Sequence, residues 1–263
     1  MILKSKLILG AIVGDIIGSV FEWDNVKTTD FELFNIHTDF TDDTVLTVAT
    51  MECITNNSDF SKTYQSYCRK FPNRGYGGRF RSWISSENPT PYNSWGNGSA
   101  MRVSPVGWAF NTLDEVLFFA KRSAEVTHNH PEGVKGAQAV ASSLFLARNG
   151  SPKSDIKSYV EYTFGYNLNR TIDEIRPNFK FDESCQGTVP EAIIAFLEST
   201  DFENAIRLAI SLGGDSDTIA CITGGIAEAF YEKIPDYIIE GSIEILPNEL
   251  RNTVREFSLK FKI

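Results

Sequence analysis

The sequence lacks the features that mark a boundary between two domains. It contains no low-complexity tract and no linker rich in proline, glycine or serine. A chain of 263 residues can bury roughly 75% of the surface that its extended form exposes, which is enough for a large core without disulfide bonds. We therefore predict a single domain over residues 1–263.

Cysteine pairs and membrane-length apolar runs are also missing. The four cysteines form no C-x-x-C pair, and three lie in apolar helical patterns, so we expect reduced thiols in the core. They are Cys53, Cys68, Cys185 and Cys221. The stretch MILKSKLILGAIVG superficially resembles a secretory signal, but Asp15 interrupts the apolar run and no small-residue cleavage site follows. These absences predict a cytoplasmic protein with no membrane partner.

Positive charge and histidine are scarce. With 25 basic and 34 acidic residues the net charge is −9, which argues against direct binding to a nucleic-acid backbone. Two of the three histidines lie in THNHP at 127–131, but no third nitrogen or sulfur ligand for zinc is found nearby. The cluster either starts a helix at Pro131 or places His128 beside a substrate phosphate.

Strand patterns are scarce as well, whereas helical periodicity dominates and predicts an all-α fold. Gly10, Gly14 and Gly18 form one stripe of a helix, and their cost relative to alanine predicts that another backbone packs against them. Stretch 71–112 is predicted to be a large irregular insertion with a functional role. Further helices are predicted at 44–56, 60–70, 114–126, 132–148, 154–164, 189–199, 202–212, 217–231 and 247–258.

Two acidic motifs each precede an apolar helical pattern. FTDDT spans residues 40–44, and GGDSDT spans residues 213–218. Helix capping explains one such residue per helix, but not the doubled acids. If the two helices pack together, their carboxylates and hydroxyls form an oxygen-only ligand set that suits two Mg²⁺ or Mn²⁺ ions.

Two other stretches are candidates to face this centre. Glu22 follows the glycine-striped helix in VFEW, although an ordinary solvated glutamate at a helix end is the simpler interpretation. The turn WGNGS at 95–99 could aim backbone N–H groups and Ser99 at a phosphate.

Taken together, GAIVGDIIGSVFEW, FTDDT, NGSAMRVSPVGW, THNHPEGVKGAQAVA and SLGGDSDTIACITGGIAEAFY resemble the ADP-ribosylglycohydrolase family, in family order over about residues 8–231. The resemblance implies a compact all-α fold with a dinuclear Mg²⁺ or Mn²⁺ centre that hydrolyses the bond between ADP-ribose and an acceptor. It implies metal ligation by Thr41, Asp42, Asp43, Asp215, Asp217 and Thr218. It implies substrate contacts by Glu22, Asn97, Gly98, Ser99, Met101 and His128.

The chemistry agrees with this resemblance but leaves roles open. Glycoside hydrolysis needs an activated water and a carboxyl group that moves a proton, for which Glu22 and Asp43 are the candidates. No acid occurs between Glu87 and Asp114, where arginine-specific members are expected to offer one, so arginine, serine, a nucleic-acid group or a free ADP-ribose derivative are all open as acceptors. The adenine could stack on Phe164, Tyr166 or Trp95.

An ADP-ribosylated protein, with arginine as the leading acceptor, or an ADP-ribose-containing small molecule is the expected partner of a monomeric enzyme. Two other functions are open: a noncatalytic ADP-ribose-binding or structural member of the family, and a metal-dependent phosphohydrolase that cleaves the diphosphate. The metal-ligating acids are all present, which favours an enzyme.

Overall fold

The computed structural model describes residues 7–261, in which all regular elements are helices and the predicted all-α class is confirmed. The long helices are α1 (Gly10–Gly18), α2 (Asp42–Asn56), α3 (Phe60–Lys70), α4 (Gly78–Ser85), and, after two short ones, α7 (Leu113–Glu125), α8 (Pro131–Arg148) and α9 (Lys153–Phe164). They continue with α11 (Cys185–Glu198), α12 (Phe202–Ser211), α13 (Ser216–Tyr231), α14 (Asp236–Ile245) and α15 (Asn248–Lys260). The short helices are α5 (Gly98–Met101), α6 (Ser104–Ala109) and α10 (Ile172–Ile175).

Helices α1 and α13 pack backbone against backbone at the centre of the fold. A Cβ placed on Gly14 would lie 2.0 Å from the carbonyl oxygen of Ala220, and one on Gly10 would lie 2.3 Å from that of Gly224. A Cβ on Gly18 would lie 2.5 Å from the Cα of Asp217. Only glycine permits this approach, so the close packing predicted from the glycine stripe is confirmed.

The predicted helices are all present, with ends shifted by a few residues. The largest shift is in α11, which starts at Cys185 and contains Pro190 in its second turn, because Ser184 caps the helix through Gly187. Helix α14 was not predicted. The expectation of an irregular insertion at 71–112 is wrong in part, because α4, α5 and α6 form there.

The four cysteines are free and buried, as predicted. Within residues 7–261, none of the helices has both the length and the apolar composition needed to cross a membrane. One continuous cluster of buried apolar side chains connects α1, α2, α8, α11, α12 and α13. This core fixes the starts of α2 and α13 beside the end of α1, which is where the acidic motifs lie.

Candidate active site

A cleft of about 270 Å³ opens at the starts of α2 and α13. Ten of the residues predicted from the sequence line it: Glu22, Asp42, Asp43, Asn97, Gly98, Met101, His128, Asp215, Asp217 and Thr218. Sequence reasoning missed Arg79, Tyr92, Arg102, Phe181 and Glu183, which also line it. Thr41 and Ser99 do not line it, and Ser99 is fully buried. The two acidic motifs, 174 residues apart along the chain from position 41 to position 215, therefore meet in one cleft.

One side of the cleft, here called the acid wall, consists of Glu22, Asp42, Asp43, Asp215 and Asp217. Four of these residues, together with the buried Asp15, form two groups of oxygens that share Asp217. Carboxylate oxygens of Glu22, Asp215 and Asp217 lie within 4.8 Å of one another, as do those of Asp15, Asp43 and Asp217. Two overlapping groups of this kind have the composition of a site for two hard divalent cations.

Asp15, which lies beside the acid wall, is a further residue that sequence reasoning missed. It is fully buried on α1 and accepts hydrogen bonds from the backbone N–H of Thr41 (3.0 Å), the hydroxyl of Thr41 (2.6 Å) and the backbone N–H of Thr44 (3.0 Å). It thereby fixes the first turn of α2 against α1. The signal was present in the sequence as the one charged residue in an otherwise apolar, glycine-striped helix.

Helix capping accounts for only part of the acidic motifs. The Thr41 side chain caps α2 by accepting a hydrogen bond from the backbone N–H of Asp43, but the side chain of Asp215, at the N-cap of α13, makes no capping bond. Gly213 and Gly214 precede Asp215 with φ of +68° and +73°, a left-handed turn that favours glycine. The turn delivers Asp215 to the cleft rather than to its own helix.

The carboxyl groups of the acid wall are costly to ionise together without a cation. Burial raises the pKa of Asp43 and of Asp217 well above the usual range of an aspartate, and the nearest acids, Asp15 beside Asp43 and Asp215 beside Asp217, add to the effect. Burial and then Asp215 raise the pKa of Glu22 to about 7. The carboxylate oxygen Oδ1 of Asp43 is buried with no hydrogen-bond partner, whereas Oδ2 accepts a bond from the Thr218 hydroxyl (3.3 Å). An orphaned carboxylate oxygen among carboxylates is the chemistry of a cation site.

The opposite side, here called the donor wall, consists of residues 96–101, Arg102 and His128. Asn97 connects the two walls: its side-chain amide donates to Asp215 Oδ2 (2.6 Å) and to the hydroxyl of Thr188 (3.0 Å). The segment is held from behind by the first residue of α11 and the turn before it, since Asn97 N–H donates to the carbonyl of Glu183 and Cys185 N–H to that of Trp95. The side chain of Asn97 therefore orients an acid of the opposite wall.

The prediction that the Ser99 hydroxyl faces a phosphate is wrong in this geometry. Ser99 is fully buried, and its hydroxyl donates to the carbonyl of Gly133 (2.7 Å), because α8 packs directly behind the segment. Gly98 and Met101 do line the cleft, and so does His128. His128 is buried against the α-carbons of Gly96 and Gly98, and burial followed by the charge of Arg102 holds its pKa well below 6.5.

The three aromatic candidates for adenine stacking differ in accessibility. Phe164 and Tyr166 are 9% and 6% exposed, whereas Trp95 is 47% exposed and directly precedes Gly96 of the cleft. Its indole makes an edge-to-face contact with His130, with 5.6 Å between ring centroids. Only Trp95 of the three presents a face that a base could stack on.

A family model for ADP-ribosylglycohydrolase matches residues 6–260. The chain belongs to the ADP-ribosylglycohydrolase family. This match confirms the resemblance inferred from the sequence motifs. Members of this family are hydrolases of ADP-ribosyl compounds.

The chain is similar to two ADP-ribosyl hydrolases and, in its fold, to one solved structure. ADP-ribosylhydrolase ARH3 from Bos taurus is 26% identical over 309 residues, covering 86% of this chain and 85% of the relative. ADP-ribosylarginine hydrolase Tri1 from Pseudomonas putida (strain GB-1) is 28% identical over 155 residues, covering 57% of this chain and 41% of the relative. A solved structure described as an ADP-ribosylglycohydrolase-related protein complex matches the fold with a TM-score of 0.76 at 24% identity, covering 97% and 95% of the two chains.

Proposed function

We propose that this protein is a metal-dependent hydrolase that cleaves the glycosidic bond between ADP-ribose and an acceptor and so reverses ADP-ribosylation. The observation that carries the proposal is the pairing of an acid wall with a donor wall across one cleft. The acid wall suits cations and a sugar that develops positive charge, whereas the donor wall suits an anionic diphosphate. Membership of a hydrolase family supports the same activity.

Two Mg²⁺ or Mn²⁺ ions are the proposed cofactors. The proposed ligands are Thr41, Asp42, Asp43, Asp215, Asp217 and Thr218. The oxygen-only donor set, the shared Asp217 and the orphaned oxygen of Asp43 all fit hard divalent cations. Bound ions supply Lewis-acid contacts to sugar hydroxyls and a more acidic water.

Glu22 is the proposed catalytic residue that moves a proton, with Asp43 as the alternative. Glu22 is half-buried at the cleft, and in the metal-free protein its pKa of about 7 allows it to accept or release a proton near neutral pH. Asp43 is buried and already accepts a hydrogen bond from Thr218, so it is less free to reach a leaving group.

The donor wall is proposed to bind the ADP part of the substrate. Gly98 and Met101 line the space proposed for the diphosphate and ribose, and the backbone of Asn97 and Ser99 flanks Gly98 in the same segment. The exposed indole of Trp95 is the proposed stacking surface for adenine.

The cleft offers charged groups of both signs to an acceptor. The segment between Glu87 and Asp114 contains no acid that could bind the guanidinium of an arginine acceptor. Glu183, which lines the cleft, offers a carboxylate for this purpose. Arg79 lines it as well. An ADP-ribosylated protein carrying the modification on arginine is the proposed substrate, and serine-linked ADP-ribose is the principal competitor. The protein is proposed to act in the cytoplasm, which the four buried, unpaired cysteines support. It is proposed to act as a monomer.

Product analysis over matched substrates tests the function. Peptides carrying ADP-ribose on arginine or on serine are incubated with the protein in Mg²⁺, in Mn²⁺ and in chelator, and the products are separated by chromatography. We expect intact ADP-ribose, formed with either metal and not in chelator. Release of AMP would instead identify a phosphohydrolase, and tight binding of ADP-ribose without turnover would identify a noncatalytic binding protein.

The Glu22→Gln variant separates the catalytic role from metal binding. It removes the titrating proton while keeping the size and an oxygen ligand of the side chain. We expect a large loss of turnover with almost unchanged metal affinity. Full turnover in this variant would transfer the proton-moving role to Asp43.

A further inference from the structure

Arg102 is a fully buried arginine on the donor wall. Its Nη2 donates to the carbonyl of Ser123 (3.0 Å) and to the hydroxyl of Thr127 (2.9 Å), and the guanidinium lies 4.7 Å from the ring centroid of Tyr64. Among the ion pairs of residues 7–261, none compensates this charge with a carboxylate. A buried cation without an acidic partner is costly, so its retention beside the cleft calls for a role.

The hydrogen bonds around Thr127 have a defined direction. Arginine can only donate, so the Thr127 hydroxyl accepts from Arg102. The same hydroxyl lies 2.7 Å from Nδ1 of His128, and Thr127 is fully buried. Within the described part of the chain, Nδ1 is the one remaining partner that can accept the hydroxyl hydrogen. If Nδ1 carried a proton, Arg102 and His128 would both donate to Thr127 and its own hydrogen would be left unpaired.

The direction of the hydrogen bond between Thr127 and His128 determines which tautomer of His128 faces the cleft. With Nδ1 accepting from Thr127, the neutral ring carries its proton on Nε2. Nε2 lies along the α-carbons of Gly96 and Gly98: a Cβ built on Gly98 would be 3.2 Å from it, and one on Gly96 would be 3.4 Å away. His128 lines the cleft, so this N–H is available to a ligand there. The opposite tautomer would present a lone pair, which repels an anionic oxygen.

We propose that Thr127, oriented by Arg102, is a positioning residue that holds His128 in the Nε2–H tautomer, so that the ring donates a hydrogen bond to an anionic phosphate oxygen at the 96–101 segment. The identity of the ligand, the diphosphate of ADP-ribose, rests on the proposed function; the tautomer does not. The low pKa of His128 is consistent with a neutral ring at pH 7.

The tautomer is tested on the ligand-free protein by NMR. The chain has only three histidines, so long-range ¹H–¹⁵N spectra of protein labelled with ¹⁵N-histidine at pH 7 can be assigned with His37→Gln and His130→Gln variants. We expect a protonated Nε2 and an unprotonated Nδ1 for His128. Thr127→Ser keeps the hydroxyl and should keep this pattern, whereas Thr127→Val should shift the ring towards the Nδ1–H form or an average. A protonated Nδ1 in the wild type, or an unchanged pattern in Thr127→Val, would overturn the proposal.

Calorimetric titration with ADP-ribose tests the consequence. Thr127→Val should bind about tenfold more weakly than wild type, and Thr127→Ser should regain most of the loss, since a hydrogen bond to a charged group is at stake. Thr223→Val is the matched control for a lost buried hydroxyl, because Thr223 donates to the carbonyl of Ala192 away from the cleft. Equal binding by wild type and Thr127→Val overturns the inference and leaves the proposed function intact. Failure of the wild type to bind ADP-ribose overturns the proposed function and the phosphate ligand together, while the NMR pattern still decides the tautomer.

Discussion

The acid wall and the donor wall of the cleft carry opposite kinds of groups and are constructed differently. The acid wall comes from the ends of three core helices, α1, α2 and α13, two of which touch backbone to backbone. The donor wall comes from an irregular segment and the four-residue helix α5, held in place by hydrogen bonds to α8 and α11. A rigid frame keeps like charges close together until a cation neutralises them, whereas the donor wall depends on the direction of individual hydrogen bonds.

The largest effect is expected on the acid wall. Asp217→Asn removes a negative ligand from the residue that both acidic groups share, so we expect at least a hundredfold loss of hydrolytic activity with Mg²⁺. Asp42→Asn should act in the same direction. Asp155→Asn is the matched control, because Asp155 is also an acid in the first turn of a helix but is exposed. Comparable losses in Asp217→Asn and Asp155→Asn would indicate helix capping instead of a shared site.

A second test asks whether repulsion among the carboxylates of the acid wall destabilises the metal-free protein. Cations that bind only the folded state should stabilise it by about 2.7 kcal/mol at a hundredfold excess over Kd, which corresponds to a rise in Tm of about 5–10 °C for a chain of this size. In Asp43→Asn/Asp215→Asn this rise should largely vanish. In chelator the double variant should melt at or above the wild type, because it relieves repulsion. A metal-independent Tm in the wild type would contradict a shared cation site.

The two walls also differ in how far the sequence predicts them. The acid wall follows from doubled acids at two helix starts, a pattern that exceeds what capping needs, and the glycine stripe explains why the helices meet. Asp15 was missed because one acid in an apolar helix resembles an interrupted signal sequence. Its role depends on a contact with Thr41 and Thr44 that spacing along the chain does not reveal.

For the donor wall, the sequence predicts the segment that forms it but not the hydrogen bonds that its side chains make. The Gly-Asn-Gly-Ser turn is visible in the sequence, but the directions of its side chains depend on packing against α8 and α11. The Ser99 hydroxyl consequently points to Gly133, and Asn97 to Asp215. Arg102 and Thr127 belong to no acidic or glycine-rich pattern, so only the fold identifies them. Helix α14 was missed although Pro235 and Asp236 mark its start, because Gly241 in its interior lowers the helix propensity of a short segment.

A third test addresses the outer end of the donor wall. Trp95→Ala removes the one exposed aromatic face among the three candidates, and we expect ADP-ribose to bind about tenfold more weakly, at the lower end of the range for base stacking. Trp95→Phe should restore most of the affinity because it keeps a stacking surface. Calorimetric titration measures both. An unchanged affinity in Trp95→Ala would place the adenine elsewhere, while Asp217→Asn still reports on the acid wall.

The smallest expected effect distinguishes the walls by the pH dependence of stability. The Glu22 carboxyl has a pKa of 4.5 as a free side chain and about 7 in the folded, metal-free protein. Between these values the folded state binds more protons than the unfolded state, so the free energy of unfolding falls as pH rises from 4.5 to 7. Because Glu22 is only half-buried, solvent screening reduces the size of this term.

His128 contributes the opposite sign, because its pKa in the folded state lies well below its usual 6.5. Below pH 6.5 the imidazole of His128 is protonated in the unfolded state but stays neutral in the folded state. The contribution of His128 to the free energy of unfolding therefore rises with pH up to about 6.5. Denaturant unfolding in chelator between pH 5 and 7 should therefore show a shallower fall, or a rise, in Glu22→Gln and a steeper fall in His128→Gln than in wild type. With saturating Mg²⁺ the Glu22 contribution should shrink, because a cation competes with the proton for the acid wall. If both variants showed the same slope as wild type, neither Glu22 nor His128 would titrate as its burial requires.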